Sequence, residues 1–521
     1  MGLTALAFAV RLPSLVLPSL DWDEGLYLTI AADLNAGHLP YAGLWDRKPV
    51  GIFVIFALVE RLFQDGVLGV RVLACLFAAL AAFALYRVAI ALFRPGTTIG
   101  IAAAIAYLLF SGENSGLAAN TEAFFIPLTL VGFALALGNP PDSPGWPADL
   151  TAGLALGLAF QIKFVVLFDL AALFVTLTLV LGAPDRTLLQ RVRGNLPRLA
   201  AIALGFAAPS LAVFVWYAAA GQLSALLGAN VAANLGYFNR PFGSLTVPLF
   251  AAINYGPLCV GAGLALLFGR QLATSGSEGR GLLIGAVWIA AVVIGLVLLR
   301  RWYEHYFIQL LPPLSLMTGF VVVRGVLDVA RDRSAYLCAA GLLVAGAFFA
   351  ANRTAFLAAG DLVLQRHARA DWAAGDTPRI VARDIEEQLS AGDTVFVFDQ
   401  DPVIYYLARA AAPTRYPFPG HWFDGADGMF DPTAELELVL AREPRFIVTR
   451  LDTFAPPEDA ETEAQSAADG YQRYRLVKYR LLGAIRASYD LVDSHAPIEL
   501  WGGRVVGVKP WGANVYRRRD D

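Results

Sequence analysis

The chain has 521 residues, of which 57% are hydrophobic and 16% charged, with a mean hydropathy of +0.56 and a formal net charge of −3. Soluble globular proteins carry about 25% charged residues, so this composition excludes an ordinary soluble enzyme. No basic tract points to nucleic acid. The cysteines, Cys75, Cys259 and Cys338, all lie in apolar runs, which argues against a disulfide framework.

Long apolar runs recur along the first two thirds of the chain and predict a polytopic α-helical membrane protein. The first run lacks the basic start and the small-residue cleavage site of a secretory signal, so we expect it to be retained as a span. Run 50–64 is shorter than the about 20 residues that a span needs and ends in charge, which favours an interfacial or re-entrant helix in the first loop, 21–67. About eleven transmembrane helices are expected, at 2–19, 68–93, 97–111, 121–138, 149–162, 164–182, 198–220, 245–268, 281–299, 305–324 and 335–351.

Basic residues are unevenly distributed over the predicted loops. Loop 183–197 carries several arginines, and further arginines follow the spans that end near residues 93, 268 and 324. By the positive-inside rule this side is cytoplasmic, which leaves loop 21–67 and the turn 300–304 on the extracytoplasmic side. An odd number of spans then places the N-terminus in the cytoplasm and the C-terminal residues outside the inner (plasma) membrane.

The character of the sequence changes after about residue 352, which divides a transmembrane domain, 1–352, from a C-terminal domain, 365–521. The second part alternates β-rich runs with helical patterns and predicts a small soluble α/β domain on the extracytoplasmic side. Its predicted strands are 393–399, 445–450 and 503–509, and a helix is expected at 401–410.

The first loop opens with three acids, Asp21, Asp23 and Glu24, and closes with a basic pair, Arg47 and Lys48. An acidic and a basic cluster on one loop favour a site that handles a proton and an anion. The apolar residues between them have helical spacing, so Asp23 and Glu24 are expected at the start of a helix lying on the membrane surface. Helix capping alone also explains an aspartate at this place, and the two roles are compatible.

Three further charged segments fall on the same predicted face. Glu122 opens a span, where it either caps the helix or serves a site. Lys163 interrupts an apolar run of about thirty residues, and an intramembrane lysine is costly unless it snorkels or has a partner, which favours function. Arg301 begins the segment RWYEHYFIQLLPP, which contains His305 and Tyr306; snorkelling anchors and interfacial aromatic residues are the alternatives there.

Together these segments resemble the GT-C membrane glycosyltransferases, and most closely glycosyltransferase family 39, which includes lipid A aminoarabinose transferases and protein O-mannosyltransferases. The resemblance covers about residues 1–330, and Glu122 and Phe164 depart from it, since the aminoarabinose relatives have Asp and Gly there. The motifs that carry it occur in the family's order: D-E-x-x-Y at 23–27 with K-P at 48–49, N-T-E at 120–122, Q-I-K-F at 161–164, and a basic–Tyr–Leu–Pro–Pro segment at 301–313.

The resemblance implies a GT-C fold and an enzyme that moves a sugar, by single displacement with inversion, from a polyprenyl-phosphate carrier to a hydroxyl of a glycolipid, polysaccharide or protein. Asp23 is then the general base, and Glu24 and Glu122 orient it. Asp23 and Glu122 are also the candidates to hold a divalent cation, Mg²⁺, Mn²⁺ or Zn²⁺. The residues expected to bind the lipid phosphate are Lys48, Lys163, Arg301, His305 and Tyr306.

Three other classes of membrane protein fit the same charges. A transporter would place them along an ion or substrate path, although the sequence shows neither inverted repeats nor paired broken helices. A lipid-linked polysaccharide polymerase or ligase uses similar carriers but usually has its key basic loop late in the chain, whereas the acidic loop here comes first. A non-catalytic scaffold with a recognition domain is the third. The identities of the sugar and the acceptor stay open.

Overall fold

The computed structural model describes residues 1–93, 96–139, 145–182, 186–237, 243–300, 302–327, 333–424, 431–455, 469–497, 500 and 511–520. The N-terminal part is helical, as its composition predicts. Its helices are α1 (Gly2–Arg11), α2 (Trp22–Asn35), α3 (Gly51–Leu62), α4 (Gly66–Leu92), α5 (Gly96–Phe110), α6 (Thr121–Gly138), α7 (Trp146–Phe160), α8 (Val166–Val175), α9 (Leu188–Ala219), α10 (Leu223–Leu227), α11 (Ala233–Tyr237), α12 (Thr246–Asn254), α13 (Gly256–Leu272), α14 (Gly276–Leu299), α15 (Leu311–Val321) and α16 (Arg333–Arg369). A 3₁₀ segment, Glu304–Leu310, leads into α15.

Several of these helices have the length and composition of membrane spans. Among the described residues six qualify, or seven if the bent pair α12 and α13, whose axes differ in direction by 82°, forms one span. Shorter apolar helices, including α1, α5 and α8, coincide with further predicted spans. A multi-pass membrane protein is therefore confirmed, and the total of about eleven spans stays a prediction.

Helix α2 positions the acids of the first loop. Asp21 caps it, since its Oδ1 accepts a hydrogen bond from the backbone N–H of Asp23 at 3.0 Å. Every residue from Glu24 to Ala31 is buried. This stretch of α2 is covered because α3 packs along it and the C-terminal domain covers it from another side, and its position on the membrane surface stays a prediction. Helix α3 confirms a helix within 50–64 and, with 12 residues, is too short to span.

The C-terminal part follows α16, which continues past the apolar segment to Arg369. It has the expected α/β character, with helices between and beside the strands. Its helices are α17 (Thr377–Glu386), α18 (Val403–Leu407), α19 (Gly420–Asp424), α20 (Pro432–Ala441) and α21 (Asp469–Ser488), and its strands are β1 (Val395–Val397), β2 (Phe446–Arg450), β3 (Tyr489–His495) and β4 (Ala513–Arg518).

The four strands form one mixed sheet in the order β1–β2–β4–β3, with β1 and β2 parallel and the other neighbours antiparallel. Strands β1 and β2 lie within the predicted runs 393–399 and 445–450, and α18 lies within 401–410. The strand expected at 503–509 falls outside the described residues. Strands β3 and β4 have no counterpart in the sequence analysis.

The C-terminal domain docks directly on the first loop. The Thr29 hydroxyl of α2 donates to the carbonyl of Pro402 at 2.9 Å, and Ser19 donates to the Asp401 carboxylate. Gly25 lies against the start of α18, where an added Cβ would stand 2.7 Å from the backbone nitrogen of Val403. Farther along the loop, the backbone N–H of Trp45 donates to the backbone carbonyl of Arg415 at 2.7 Å. The start of α2 therefore contacts both the transmembrane domain and the C-terminal domain.

Candidate active site

A cavity of about 1080 Å³ lies where the first loop, the 3₁₀ segment Glu304–Leu310 and the C-terminal domain meet. Its volume slightly exceeds the range of about 300–1,000 Å³ that is typical of ligand sites. The walls bring together residues that are far apart in the sequence. Of the predicted site residues, those that line this cavity are Asp23, Lys48, His305 and Tyr306.

Asp23, Tyr27 and Lys48 form a closed triangle of polar contacts. Lys48 Nζ lies 3.0 Å from Asp23 Oδ2 and 2.9 Å from the Tyr27 hydroxyl, which itself donates to Asp23 Oδ2 at 2.9 Å. Burial acts to raise the pKa of Asp23, but the Lys48 ammonium, with smaller contributions from His305 and Tyr27, outweighs burial and holds this pKa well below its ordinary value. Asp23 is therefore a carboxylate, with about a quarter of its side chain exposed to the cavity.

Glu122, Lys163 and Tyr306 form a second cluster, more deeply buried. Lys163 donates to the Glu122 carboxylate, which also accepts from the Thr121 hydroxyl at 2.9 Å. The Lys163 ammonium stands 4.0 Å from the centroid of the Tyr306 ring, a cation–π contact. The ring of His305 packs edge-on against Tyr306 with the centroids 4.8 Å apart. These contacts give the buried Lys163 ammonium a carboxylate and an aromatic ring as partners.

Asp21 and Gly51 connect the two clusters. Asp21 Oδ2 accepts from Asn120 Nδ2 at 3.2 Å and lies 3.9 Å from His305 Nδ1. The N–H of Gly51 donates to the carbonyl of Gln161 at 2.7 Å, and a Cβ on Gly51 would stand 2.5 Å from that oxygen. This close approach holds the Lys48 loop beside the Lys163 turn. The sequence places Asp21 in the acidic motif, but its contacts with Asn120 and His305 depend on the fold.

Glu24 does not join either cluster. The Glu24 carboxylate is buried in a two-point ion pair with Arg71, whose Nε and Nη2 donate at 2.7 and 3.0 Å. Arg71 also donates to three carbonyls of the chain just before α2, which include those of Ser14 and Leu17. Glu24 therefore holds α2 to α4 and does not line the large cavity. Arg301 lies outside the described residues.

The two carboxylates expected to hold a metal are each occupied by an ammonium group, Asp23 by Lys48 and Glu122 by Lys163. A divalent cation would have to displace these lysines, so the residues present do not fit a metal site. Among the described residues, the group with suitable donors is instead Asp384, Asp493 and His495 in the C-terminal domain. There the His495 Nε2 lies 3.3 and 3.6 Å from oxygens of the two aspartates.

The C-terminal domain supplies cavity walls that the sequence analysis did not assign to the site. The His421 ring is buried between Trp45 and Phe418, and its Nε2 lies 3.5 Å from Asp46 Oδ1, next to the basic pair of the first loop. Trp511 lines the cavity next to Trp22 at the start of α2. Only a long-range contact brings these residues to the site, and no local motif marks them.

Comparison of the sequence with family models gives one match. Residues 47–216 match the family described as dolichyl-phosphate-mannose-protein mannosyltransferase. This region includes Lys48, Glu122 and Lys163, three of the residues on which the resemblance rests. No curated protein matches the chain significantly by sequence.

Comparison with solved structures finds similar folds over nearly the whole chain. ArnT from Cupriavidus metallidurans, bound to undecaprenyl phosphate, has a TM-score of 0.58 and 15% identity, with 98% of this chain and 97% of that chain covered. AglB from Archaeoglobus fulgidus, in complex with an inhibitory peptide and a dolichol-phosphate, has a TM-score of 0.52 and 12% identity, with 91% and 72% covered. The arabinofuranosyltransferase AftD from Mycobacteria has a TM-score of 0.51 and 17% identity, with 100% and 40% covered. The chain therefore has the fold of the GT-C membrane glycosyltransferases.

Proposed function

We propose that this protein transfers a sugar from a polyprenyl-phosphate carrier to an acceptor hydroxyl on the extracytoplasmic face of the membrane. The observation that carries the proposal is the Asp23–Tyr27–Lys48 triangle on the wall of the large cavity, beside the Lys163–Tyr306–His305 group. One carboxylate and several cationic or hydrogen-bonding groups are what deprotonation of a hydroxyl and stabilisation of a departing phosphate need. The undecaprenyl phosphate and dolichol-phosphate bound by two proteins of similar fold agree with this donor class.

The transfer step follows from these positions. Asp23 takes the proton of the acceptor hydroxyl while that oxygen forms a bond to the anomeric carbon. The bond from the anomeric carbon to the phosphate oxygen breaks, and the electron pair leaves with the polyprenyl phosphate. Lys48, Lys163 and Tyr306 stabilise the charge that develops on the leaving phosphate. A single displacement of this kind inverts the configuration at the anomeric carbon.

Lys48 couples donor binding to the strength of the base. In the structure its ammonium contacts Asp23 and lowers the pKa of that carboxyl, which makes Asp23 a weak base. A phosphate that binds Lys48 competes for the same ammonium. As the ion pair with Asp23 loosens, the pKa of Asp23 rises and the carboxylate becomes better able to accept a proton. The base is therefore strengthened when the donor is in place.

The transfer assigns a task to each part of the molecule. The apolar helices hold the isoprenoid chain in the bilayer beside the Lys163–Tyr306–His305 group. The cavity beneath the C-terminal domain receives the acceptor. No step of this transfer passes through the Asp384–Asp493–His495 group, which we propose as a separate position for a divalent cation in the C-terminal domain.

The test is the Asp23→Asn variant, assayed with purified lipid-linked sugar. Asparagine preserves the size of the side chain, so α2 should form and carrier binding should persist. Loss of general-base catalysis should lower turnover about a hundredfold or more. The matched control is Asp65→Asn, because Asp65 belongs to the same loop, caps α4 and pairs with Arg379, but lies outside the cavity. Wild-type turnover by Asp23→Asn would remove Asp23 as the base.

A further inference from the structure

We infer that the acceptor is a carbohydrate, whose ring packs against an aromatic corner formed by Trp22, Phe418 and Trp511. This inference rests on the proposed transfer reaction and names the class of its second substrate. Sugar rings are recognised by a combination of apolar ring faces, which contact their C–H groups, and planar polar groups, which bind their hydroxyls. The cavity supplies both kinds of surface next to Asp23.

The aromatic corner lies beside the proposed base. Trp22 immediately precedes Asp23 at the start of α2, and both residues line the cavity. The Trp22 ring stands 4.7 Å from the Trp511 ring at an angle of 64°, and 5.4 Å from the Phe418 ring at 68°. An acceptor hydroxyl that reaches Asp23 therefore brings the rest of its molecule against these rings.

Charged groups adjoin the same rings. The Arg450 guanidinium stands 4.4 Å from the centroid of the Trp511 ring, and its Nε donates to Asp452 at 2.8 Å. Asp452 lines the cavity and its side chain is more than half exposed; its two oxygens accept from Arg450 Nε and Nη2 and keep further lone pairs for a ligand. Planar carboxylate and guanidinium groups bind neighbouring hydroxyls with two hydrogen bonds. Aromatic rings flanked by such groups match a sugar ring and its hydroxyls.

A lipid acceptor with an acyl chain in this position fits the wall less well. An apolar chain against Asp452, Asp21 and Glu304 would remove water from three carboxylates without offering hydrogen bonds in return, which is unfavourable. A hydroxyl-rich molecule replaces that water with its own hydrogen bonds. The chemistry of the wall therefore favours a glycan over a lipid chain, and a peptide is the alternative that the experiment decides.

The experiment uses the full-length protein in nanodiscs with its native lipid-linked sugar and three acceptor pools, namely oligosaccharides, peptides and lipids from the envelope. We expect transfer to the oligosaccharides. In Trp511→Ala the KM for the oligosaccharide should rise about tenfold while polyprenyl-phosphate affinity is unchanged, and Trp511→Phe should recover part of the loss. Trp372→Ala is the control, since Trp372 is 67% exposed and does not line the cavity.

The outcomes separate this inference from the proposed function. Transfer to peptides or lipids alone overturns the carbohydrate acceptor and leaves the transfer reaction standing. An unchanged KM in folded Trp511→Ala also overturns it. Saturation-transfer NMR of the wild-type protein with the oligosaccharide pool needs no variant, and lack of binding there contradicts the inference. Absence of sugar transfer to every pool, together with carrier binding that does not depend on Lys48, overturns the proposed function itself.

Discussion

At the scale of single residues, Lys48 has the most consequential position. Its ammonium contacts the Asp23 carboxylate and the Tyr27 hydroxyl at once, and its own carbonyl is held by the hydroxyl of Tyr41 at 2.7 Å. The neighbouring carbonyl of Arg47 accepts from Asn234 at 3.1 Å. The backbone that carries the ammonium is thus fixed from two sides, which suits the two contacts proposed for this cation, with the base and with the phosphate.

The pH dependence of the reaction should report the Lys48–Asp23 contact. The base must be deprotonated, and Lys48 lowers the pKa of Asp23, so the wild-type acid limb of kcat/KM should lie below the ordinary range of an aspartate. In the Lys48→Met variant, the ammonium no longer opposes the effect of burial, which raises the pKa of Asp23. The acid limb should therefore move up by about one pH unit or more.

The measurement is kcat/KM against pH for wild type and variant, with saturating acceptor. Lys478→Met serves as the control for removal of a lysine outside the cavity. Coincident acid limbs in wild type and Lys48→Met would show that Asp23 does not act as a base under the influence of Lys48.

Glu24 should prove structural. Glu24→Gln leaves the Arg71 guanidinium buried without its carboxylate, and breaking a buried ion pair costs about 3–5 kcal/mol. We expect a lower midpoint of thermal unfolding and less folded protein, with the turnover of the remaining folded protein near wild type. Unfolding followed by tryptophan fluorescence, with turnover normalised to folded protein, checks this. A large loss of turnover at an unchanged unfolding temperature would return Glu24 to the catalytic group.

At the scale of elements, the docking of α2 against α18 decides the geometry of the site. Asp23, the proposed base, lies in the first turn of α2, and the same helix contacts the C-terminal domain through Gly25 and Thr29. The position of the carboxylate is therefore set by an interface as well as by its own helix.

Gly25→Ala tests this interface. An added Cβ would overlap the Asp401 carboxylate and stand 2.7 Å from the backbone nitrogen of Val403, so α18 must move. Overpacking of this kind costs about 1–3 kcal/mol. We expect faster proteolytic release of the C-terminal domain and a lower turnover. Gly263→Ala, at a helical glycine with open space around it, should change neither; equal behaviour of the two variants would show that the interface tolerates displacement.

The sequence predicts which loops supply the residues of the site better than it predicts the contacts between those residues. Asp23, Lys48, Lys163, His305 and Tyr306 come together as the motifs indicate, because the topology brings their loops to one end of the helices. The Glu24–Arg71 pair is not predicted, because the sequence does not show that the adjacent side chains of Asp23 and Glu24 point to different partners. His421 and Trp511 are not predicted either, because they lie more than 370 residues after Lys48 in the chain.

At the scale of the whole molecule, the arrangement requires the cavity and the C-terminal domain to share one side of the membrane. Cysteine scanning in a cysteine-free background tests this. Cysteines at Ala42 and Ala391, both exposed, should react with a membrane-impermeant maleimide in intact spheroplasts, whereas one at Gly194 should react only after lysis. The exposed alanines suit this purpose better than Gly43 or Gly116, where a side chain would overlap its neighbours. The reverse pattern would contradict the orientation.

The hydrogen bond between Ser19 and Asp401 joins two residues that are synthesised at different times. The partners are 382 residues apart, so at about 5–20 residues per second a ribosome adds the second on the order of 20–80 s after the first. During that interval the N-terminal helices can already enter the bilayer, but the contact that joins the start of α2 to the C-terminal domain does not yet exist. Under the proposed function, a chain that is terminated before Asp401 reaches the membrane without this contact beside the proposed base, and sugar transfer is expected only after Asp401 has been added.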